Sequence, residues 1–116
     1  MGIVMKTLET ISFATAVAWE SWLETNHVST GGVWLRIYKK ASGKETITYA
    51  EALDGALCYG WIDGISKGID AEKYAQRFSP RRKKSNWTDT NKAIARRLIA
   101  EGRMTKAGRA VLPDDV

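Results

Sequence analysis

Residues 48–64 read TYAEALDGALCYGWIDG, and this stretch decides the fold. Thr48 and Glu51 form a capping box, in which the side chain of each residue bonds the backbone N–H of the other at the start of a helix. The apolar residues that follow recur at helical spacing: Tyr49, Ala52, Leu53, Ala56 and Leu57. Gly60 is the residue type that ends a helix, and Trp61 begins a new element. The stretch predicts a helix over 49–60 that leads directly into a strand.

Similar patterns on both sides predict the other elements. Threonine caps, apolar stripes and alternating apolar residues place helices at 16–26 and 89–101, a short last helix after Thr105 up to Leu112, and strands at 8–13, 33–39, 62–69 and 73–79. The last two strands form a β-hairpin that turns near residues 70–72. The order β-α-β-α-β-β-α-α predicts an α+β domain with a mixed or antiparallel sheet and three to four helices. Apolar stripes predict a core that includes Trp22, Leu53, Leu57, Ile94 and Leu98.

Size and composition indicate a single domain over residues 1–116. The chain is 44% hydrophobic and 27% charged, which is typical of a globular protein and not of a disordered one. Its 18 Lys and Arg against 13 Asp and Glu give a net charge of +5, which favours an anionic partner. The one dense basic run is residues 81–84. The sequence does not predict an oligomeric state.

The single cysteine and single histidine limit the chemistry of the chain. Cys58 cannot form an internal disulfide, and together with His27 it offers no pair of metal ligands. We expect Cys58 to be a packed thiol and His27 to cap a helix. No stretch is apolar enough to span a membrane, and polar residues interrupt the faint resemblance of residues 11–18 to a secretory signal. These observations predict a cytoplasmic protein without a metal or cofactor.

The candidate site residues lie on the predicted hairpin and at its two ends: Trp61, Asp63, Lys67, Arg77, Ser79, Arg81, Ser85 and Trp87. Alternation along a strand sends Arg77, Ser79 and Arg81 to one side. Guanidinium groups beside indole rings suit planar anions such as carboxylate, phosphate or a nucleobase. The alternative interpretation is structural: Asp63 pairs with Arg77, and the tryptophans fill the core. For these residues we prefer it slightly to the anion site.

Several segments resemble the YdeI/OmpD-associated family. They are ALCYGWIDG at 56–64, QRFSPR at 76–81 and Ser85-x-Trp87, and the match extends upstream to Trp19 and downstream to Gly108. The resemblance covers nearly the whole chain. It implies a small α+β domain similar to the YdhG-like proteins, and a link to bacteriocin protection or antimicrobial-peptide resistance. It implies no reaction, cofactor or catalytic residue.

Three functions follow as hypotheses. The leading one is a binding domain in which Arg77, Arg81 and Lys67 hold a small anionic ligand against Trp61 and Trp87. The second is an enzyme that uses Asp63 as its acid or base, which requires a desolvated carboxyl group in a cleft. The third, placed behind the small ligand, is a nucleic-acid-associated protein in which residues 81–84 contact phosphates and Trp87 stacks on a base.

Overall fold

The computed structural model describes residues 10–82 and 85–116, which contain four α-helices, four strands and a short 3-10 helix at Lys40–Ser42. In chain order the α-helices and strands are β1 (Thr10–Ile11), α1 (Ala16–Asn26), β2 (Val33–Tyr38), α2 (Tyr49–Cys58), β3 (Trp61–Gly68), β4 (Lys73–Pro80), α3 (Asp89–Ala100) and α4 (Lys106–Arg109). The predicted α+β class and element order are confirmed. Residues 8 and 9 of the predicted first strand lie outside the described residues. The last helix ends earlier than predicted, because the chain turns after Arg109.

A threonine caps each of the four helices. The side chains of Thr15, Thr48, Thr88 and Thr105 each accept a hydrogen bond from the backbone N–H three residues further on. Both bonds of the predicted capping box are present, since Glu51 also accepts from the Thr48 N–H. These bonds satisfy backbone donors that a helix start would otherwise leave unpaired. The helix starts are therefore fixed by local sequence.

The strands form one mixed sheet in the order β1-β2-β4-β3. β1 runs parallel to β2, whereas β4 is antiparallel to both β2 and β3. The predicted hairpin joins β3 to β4, and its turn is held by Asp70, whose carboxylate accepts from the backbone N–H groups of Glu72 and Lys73. β4 is thus a central strand, and it places its residues beside both β2 and β3.

The core lies between the helices and one face of the sheet. Leu35, Ile37 and Phe78 point to this covered face and are buried together with apolar residues of α1, α2 and α3. Leu53, Leu57 and Leu98 are buried as predicted, whereas Trp22 and Ile94 pack against the edge of the core and stay partly exposed.

Trp19 is among the largest fully buried side chains of this core, with no exposed surface. Its indole N–H donates to the Ala52 carbonyl at 2.9 Å, which ties α1 to α2. Trp22 stacks on the Trp19 ring at 5.6 Å.

A β-bulge interrupts β3 between Asp63 and Ser66. The buried side chain of Gln76 donates from Nε2 to the carbonyls of Gly64 at 2.8 Å and Ile65 at 3.2 Å. A bulge leaves backbone groups without ladder partners, and Gln76 supplies a partner to two of them. Across the described residues, no helix is long and apolar enough to cross a lipid bilayer.

Candidate functional site

The sheet separates the predicted site residues into different groups. Trp61 and Asp63 pair with Pro80 and Phe78, so they share the covered face with the buried Phe78 ring. Trp61 is 1% exposed and belongs to the core, which corrects its prediction as a ligand-binding residue. Lys67, Arg77 and Ser79 alternate with core positions and lie on the opposite face, which we call the open face because no described helix contributes to it.

Arg81 lies one residue beyond the end of β4 and is 7% exposed. Its Nη1 donates to Ser85 Oγ at 2.9 Å and to the Asn86 carbonyl at 3.1 Å, and its guanidinium group stacks on the Trp87 ring at 3.8 Å. Burial lowers the pKa of Arg81, while the charge of Asp63 acts in the opposite direction. The predicted contact of Arg81 with Trp87 is present, but it holds the loop before α3 in place. Lys83 and Lys84 of the basic run lie outside the described residues.

Asp63 has a hydroxyl partner on α2. The Tyr49 hydroxyl donates to Asp63 Oδ2, and the pKa of Tyr49 is raised by burial and by this bond. The alternative interpretation, an Asp63–Arg77 ion pair, is not formed between these two described residues, because they lie on opposite faces of the sheet. The Asp63 carboxylate therefore accepts a hydrogen bond from Tyr49 and does not form an ion pair with Arg77.

Trp34 is the aromatic partner of Arg77 and Lys67. It lies directly across from Arg77 in the β2–β4 register, with the guanidinium carbon 5.9 Å from the ring centroid. Lys67 reaches the same ring from β3, with Nζ at 5.5 Å. The small side chain of Ala75 lies between β2 and β3 and leaves room for this approach. The open face thus brings two predicted cations, Lys67 and Arg77, to a tryptophan for which the sequence predicts only a position in a strand.

Tyr38 forms a second group of the same kind on the open face. Lys73 is directly across from it with Nζ 5.8 Å from the ring centroid, and Lys44 approaches at 5.2 Å. Cation–π contacts at exposed sites contribute only about 0.5–1 kcal/mol each. Such contacts hold lysine side chains near the rings, yet a ligand can displace them.

A cavity of about 350 Å³ lies on the open face between these two groups. Its walls include Trp34, Arg36, Lys67 and Lys73, and Ala75 also lines it. This volume lies at the small end of ordinary ligand pockets. A planar group of the size of one nucleobase or one aromatic acid fits such a space.

The open face carries an excess of positive charge. Lys73 pairs with Asp70 at 2.6 Å and Lys44 pairs with Glu72 at 3.4 Å, so the Tyr38 end is partly neutralised. Within residues 10–82 and 85–116, Arg36, Lys67 and Arg77 form no ion pair. The Trp34 end therefore has the stronger attraction for an anion.

A second, wider cavity of about 780 Å³ lies where the loop after β2 meets the start of α2. Tyr38, Tyr49, Tyr74 and several lysines line it, and Asp63 is not among its lining residues. An acid or base role for Asp63 requires a cleft that reaches its carboxylate, and neither of these two cavities does so.

Cys58 and His27 lie in environments that favour structural roles over catalytic ones. Cys58 is buried, and burial raises the pKa of its thiol to about 11, so the reactive thiolate is disfavoured. His27 is the C-cap of α1, and its Nδ1 lies 2.8 Å from the Leu23 carbonyl. Among the residues that the structure describes, no three His, Cys, Asp or Glu side chains form a group that could hold a metal ion.

Comparison with known families gives a match over most of the chain. A family model described as a domain of unknown function (DUF8412) matches residues 11–111, which include all four helices and both groups on the open face. No curated protein and no solved structure matches the chain.

Proposed function

We propose that this chain, which belongs to the DUF8412 family, is a binding domain that holds an anionic ligand with a planar group on the open face of its sheet. The observation that carries the proposal is the placement of Lys67 and Arg77 beside Trp34, on the face that the described helices leave uncovered. Arg77 supplies a planar fork of donors, Lys67 a compact charge, and Trp34 a ring for stacking.

The Arg77 guanidinium group packs closely against the backbone at Gly32. A Cβ at Gly32 would lie 2.7 Å from Arg77 Nη2, and Gly32 has a φ of +138°, which only glycine adopts readily. Glycine therefore allows the guanidinium group to lie against the start of β2. A donor that is already positioned loses less conformational freedom when an anion binds.

The proposed site includes some of the candidate site residues predicted from sequence, and it replaces others. Lys67 and Arg77 stay as ligand contacts, and Trp34 takes the role that the sequence analysis gave to Trp61 and Trp87. Arg81 becomes a support for the loop before α3, because its exposed fraction is too small for direct contact with a ligand of this size.

The resemblance to the YdeI/OmpD-associated family adds a further proposal about context. On this resemblance we propose a role in protection against bacteriocins or antimicrobial peptides. The single cysteine, Cys58, is the basis for proposing a reducing compartment such as the cytoplasm. The open face is basic and suits an anion, so in that context its ligand is not the cationic peptide itself.

The test is thermal unfolding in graded inorganic phosphate, and in graded AMP, at fixed ionic strength. A ligand that binds only the folded state raises the melting temperature by mass action. We compare the wild type with a Lys67→Gln/Arg77→Gln variant. The matched control is Lys106→Gln/Arg109→Gln, which removes the same charge from the exposed surface of α4.

We expect AMP to raise the melting temperature of the wild type and the control, and to have a much smaller effect on the face variant. Removing a hydrogen bond to a charged group costs about 1.5–3 kcal/mol, or roughly tenfold or more in affinity. Equal shifts in all three proteins, or no shift in any, would reject the site.

A further inference from the structure

We infer that the ligand of the open face is single-stranded nucleic acid, with two bases of one strand stacked on Trp34 and Tyr38. The inference rests on the proposed function and narrows it from an anion with a planar group to a polymer that repeats both features. Three observations carry it: the spacing of the rings, the distribution of cations, and the partial exposure of both rings on one face of the sheet.

The two rings lie on one strand and one face. Trp34 and Tyr38 are four residues apart in β2, and both are partly exposed. A strand rises about 3.3 Å per residue, so their attachment points are about 13 Å apart. This distance is too long for one small planar molecule and matches two or three nucleotides of an extended strand. Aromatic rings on a sheet face are a general way to stack unpaired bases.

Cations accompany both rings. Lys67 and Arg77 flank Trp34, and Lys44 and Lys73 flank Tyr38. Arg36 lies between them in β2 and lines the cavity, and its buried Nε has no hydrogen-bond partner among the described residues. A small anion would contact the cations around only one of the two rings. A strand with a phosphate at every nucleotide uses both groups and Arg36, and at the Tyr38 end its phosphates compete with Glu72 and Asp70 for Lys44 and Lys73.

Duplex nucleic acid does not suit this surface, because its base faces are stacked inside the helix and cannot reach rings that lie on a sheet. An anionic lipid surface is the main competitor. Ile69 is 44% exposed at the edge of the cavity and Ile65 is 65% exposed on the neighbouring part of β3, and such side chains can enter a membrane interface. An experiment can distinguish single-stranded nucleic acid from a lipid surface, because only the nucleic acid stacks bases on the two rings.

The experiment measures binding by fluorescence anisotropy with a labelled ten-nucleotide oligothymidine and a labelled ten-nucleotide oligouridine. The unlabelled competitors are a duplex of the same length, UMP and inorganic phosphate, and vesicles of phosphatidylserine and phosphatidylcholine are tested by co-sedimentation. We expect the single strands to bind at least tenfold more tightly than the duplex or UMP. If three phosphates are contacted, the logarithmic salt slope is about −2, and raising salt from about 50 to 200 mM weakens binding roughly 15- to 20-fold.

The aromatic variants test stacking directly. Trp34→Ala and Tyr38→Ala should each weaken oligonucleotide binding by roughly 5- to 150-fold, which is the range for the loss of one stacked base. Trp34→Phe and Tyr38→Phe should keep most of the affinity, and Lys106→Gln/Arg109→Gln should match the wild type. Circular dichroism and thermal melts establish that each variant is folded. If Trp34→Ala unfolds, Tyr38→Ala at the sheet margin carries the test.

The outcomes separate the inference from the function on which it rests. Oligonucleotides that bind no more tightly than UMP, with UMP binding still lost in Lys67→Gln/Arg77→Gln, overturn the inference and leave the anion site standing. Vesicle binding without oligonucleotide binding overturns it in favour of a lipid surface. Failure of every anion to bind removes both the inference and the proposed function.

Discussion

Gly108 gives the sharpest test of how the helices pack. It lies in α4 and is buried where α4 meets the end of α2. A methyl group on Gly108 would overlap the carbonyl oxygen of Cys58 and the sulfur of Met104. The Cys58 carbonyl already accepts hydrogen bonds from Thr105, at 3.1 Å from its backbone N–H and 2.5 Å from its hydroxyl. Of these two obstacles, the Cys58 carbonyl is backbone, which cannot move aside by changing rotamer.

The expected cost of Gly108→Ala follows from opposing contributions. Alanine in place of glycine within a helix stabilises by about 0.5–1 kcal/mol. Overpacking costs about 1–3 kcal/mol, and weakening one or two hydrogen bonds to Cys58 costs about 0.5–1.5 kcal/mol each. The net expectation is a loss of about 2–3 kcal/mol in the free energy of unfolding. For a domain of this size that corresponds to a fall in melting temperature of about 8–12 °C.

The assay is urea unfolding followed by tryptophan fluorescence, with Gly31→Ala as the matched control. Gly31 has no atom within 4 Å of an added Cβ and is not among the glycines with positive φ, so its substitution should change stability by less than about 0.5 kcal/mol. If Gly108→Ala unfolds at the same urea concentration as the wild type or a higher one, α4 does not pack on α2 as described.

Three further changes test the core, the hairpin turn and the thiol. Leu57→Ala should cost about 2–5 kcal/mol in urea unfolding, because Leu57 is 1% exposed in the core. Asp70 has a lowered pKa because Lys73 and turn N–H groups bond its carboxylate, so its contribution is present above pH 3.8 and is lost as pH falls through the folded pKa. Asp70→Asn should therefore flatten the dependence of melting temperature on pH below about 4. The Cys58 pKa is raised from 9.0 to about 11, so the unfolded chain releases this proton first and stability should fall as pH rises through that window. Cys58→Ala should remove this fall, and a thiol reagent at pH 8 should label native Cys58 only as fast as the protein opens.

The local parts of the fold could be predicted from sequence because their causes are local. Threonine caps, the Thr48–Glu51 capping box and apolar periodicity all act within a few residues, and they marked the starts of the four helices correctly. The last helix is shorter than predicted, because the backbone hydrogen bonds after Arg109 are turn bonds and not helical ones.

The site was predicted less well because it depends on strand order. Alternation placed Arg77 and Ser79 correctly on one face, but Arg81 follows the last residue of β4, where alternation no longer applies. The partner of Arg77 follows from the β2–β4 register, which brings Trp34 opposite it across more than 40 residues of chain. Trp34 and Tyr38 are four residues apart in a predicted strand, so alternation alone puts them on one face. Nothing in a linear pattern specified which strand would lie beside them.

The bulge in β3 also determines what the sheet can join. β3 is an edge strand, and an uninterrupted edge invites a second chain to extend the sheet. Here the regular ladder positions are 61–63 and 66–68, and the residues between them are out of register. An incoming strand would find two segments of three residues with a kink between them, too short for stable pairing. The domain can thus present a broad basic and aromatic face while its neighbouring edge resists growth into larger aggregates.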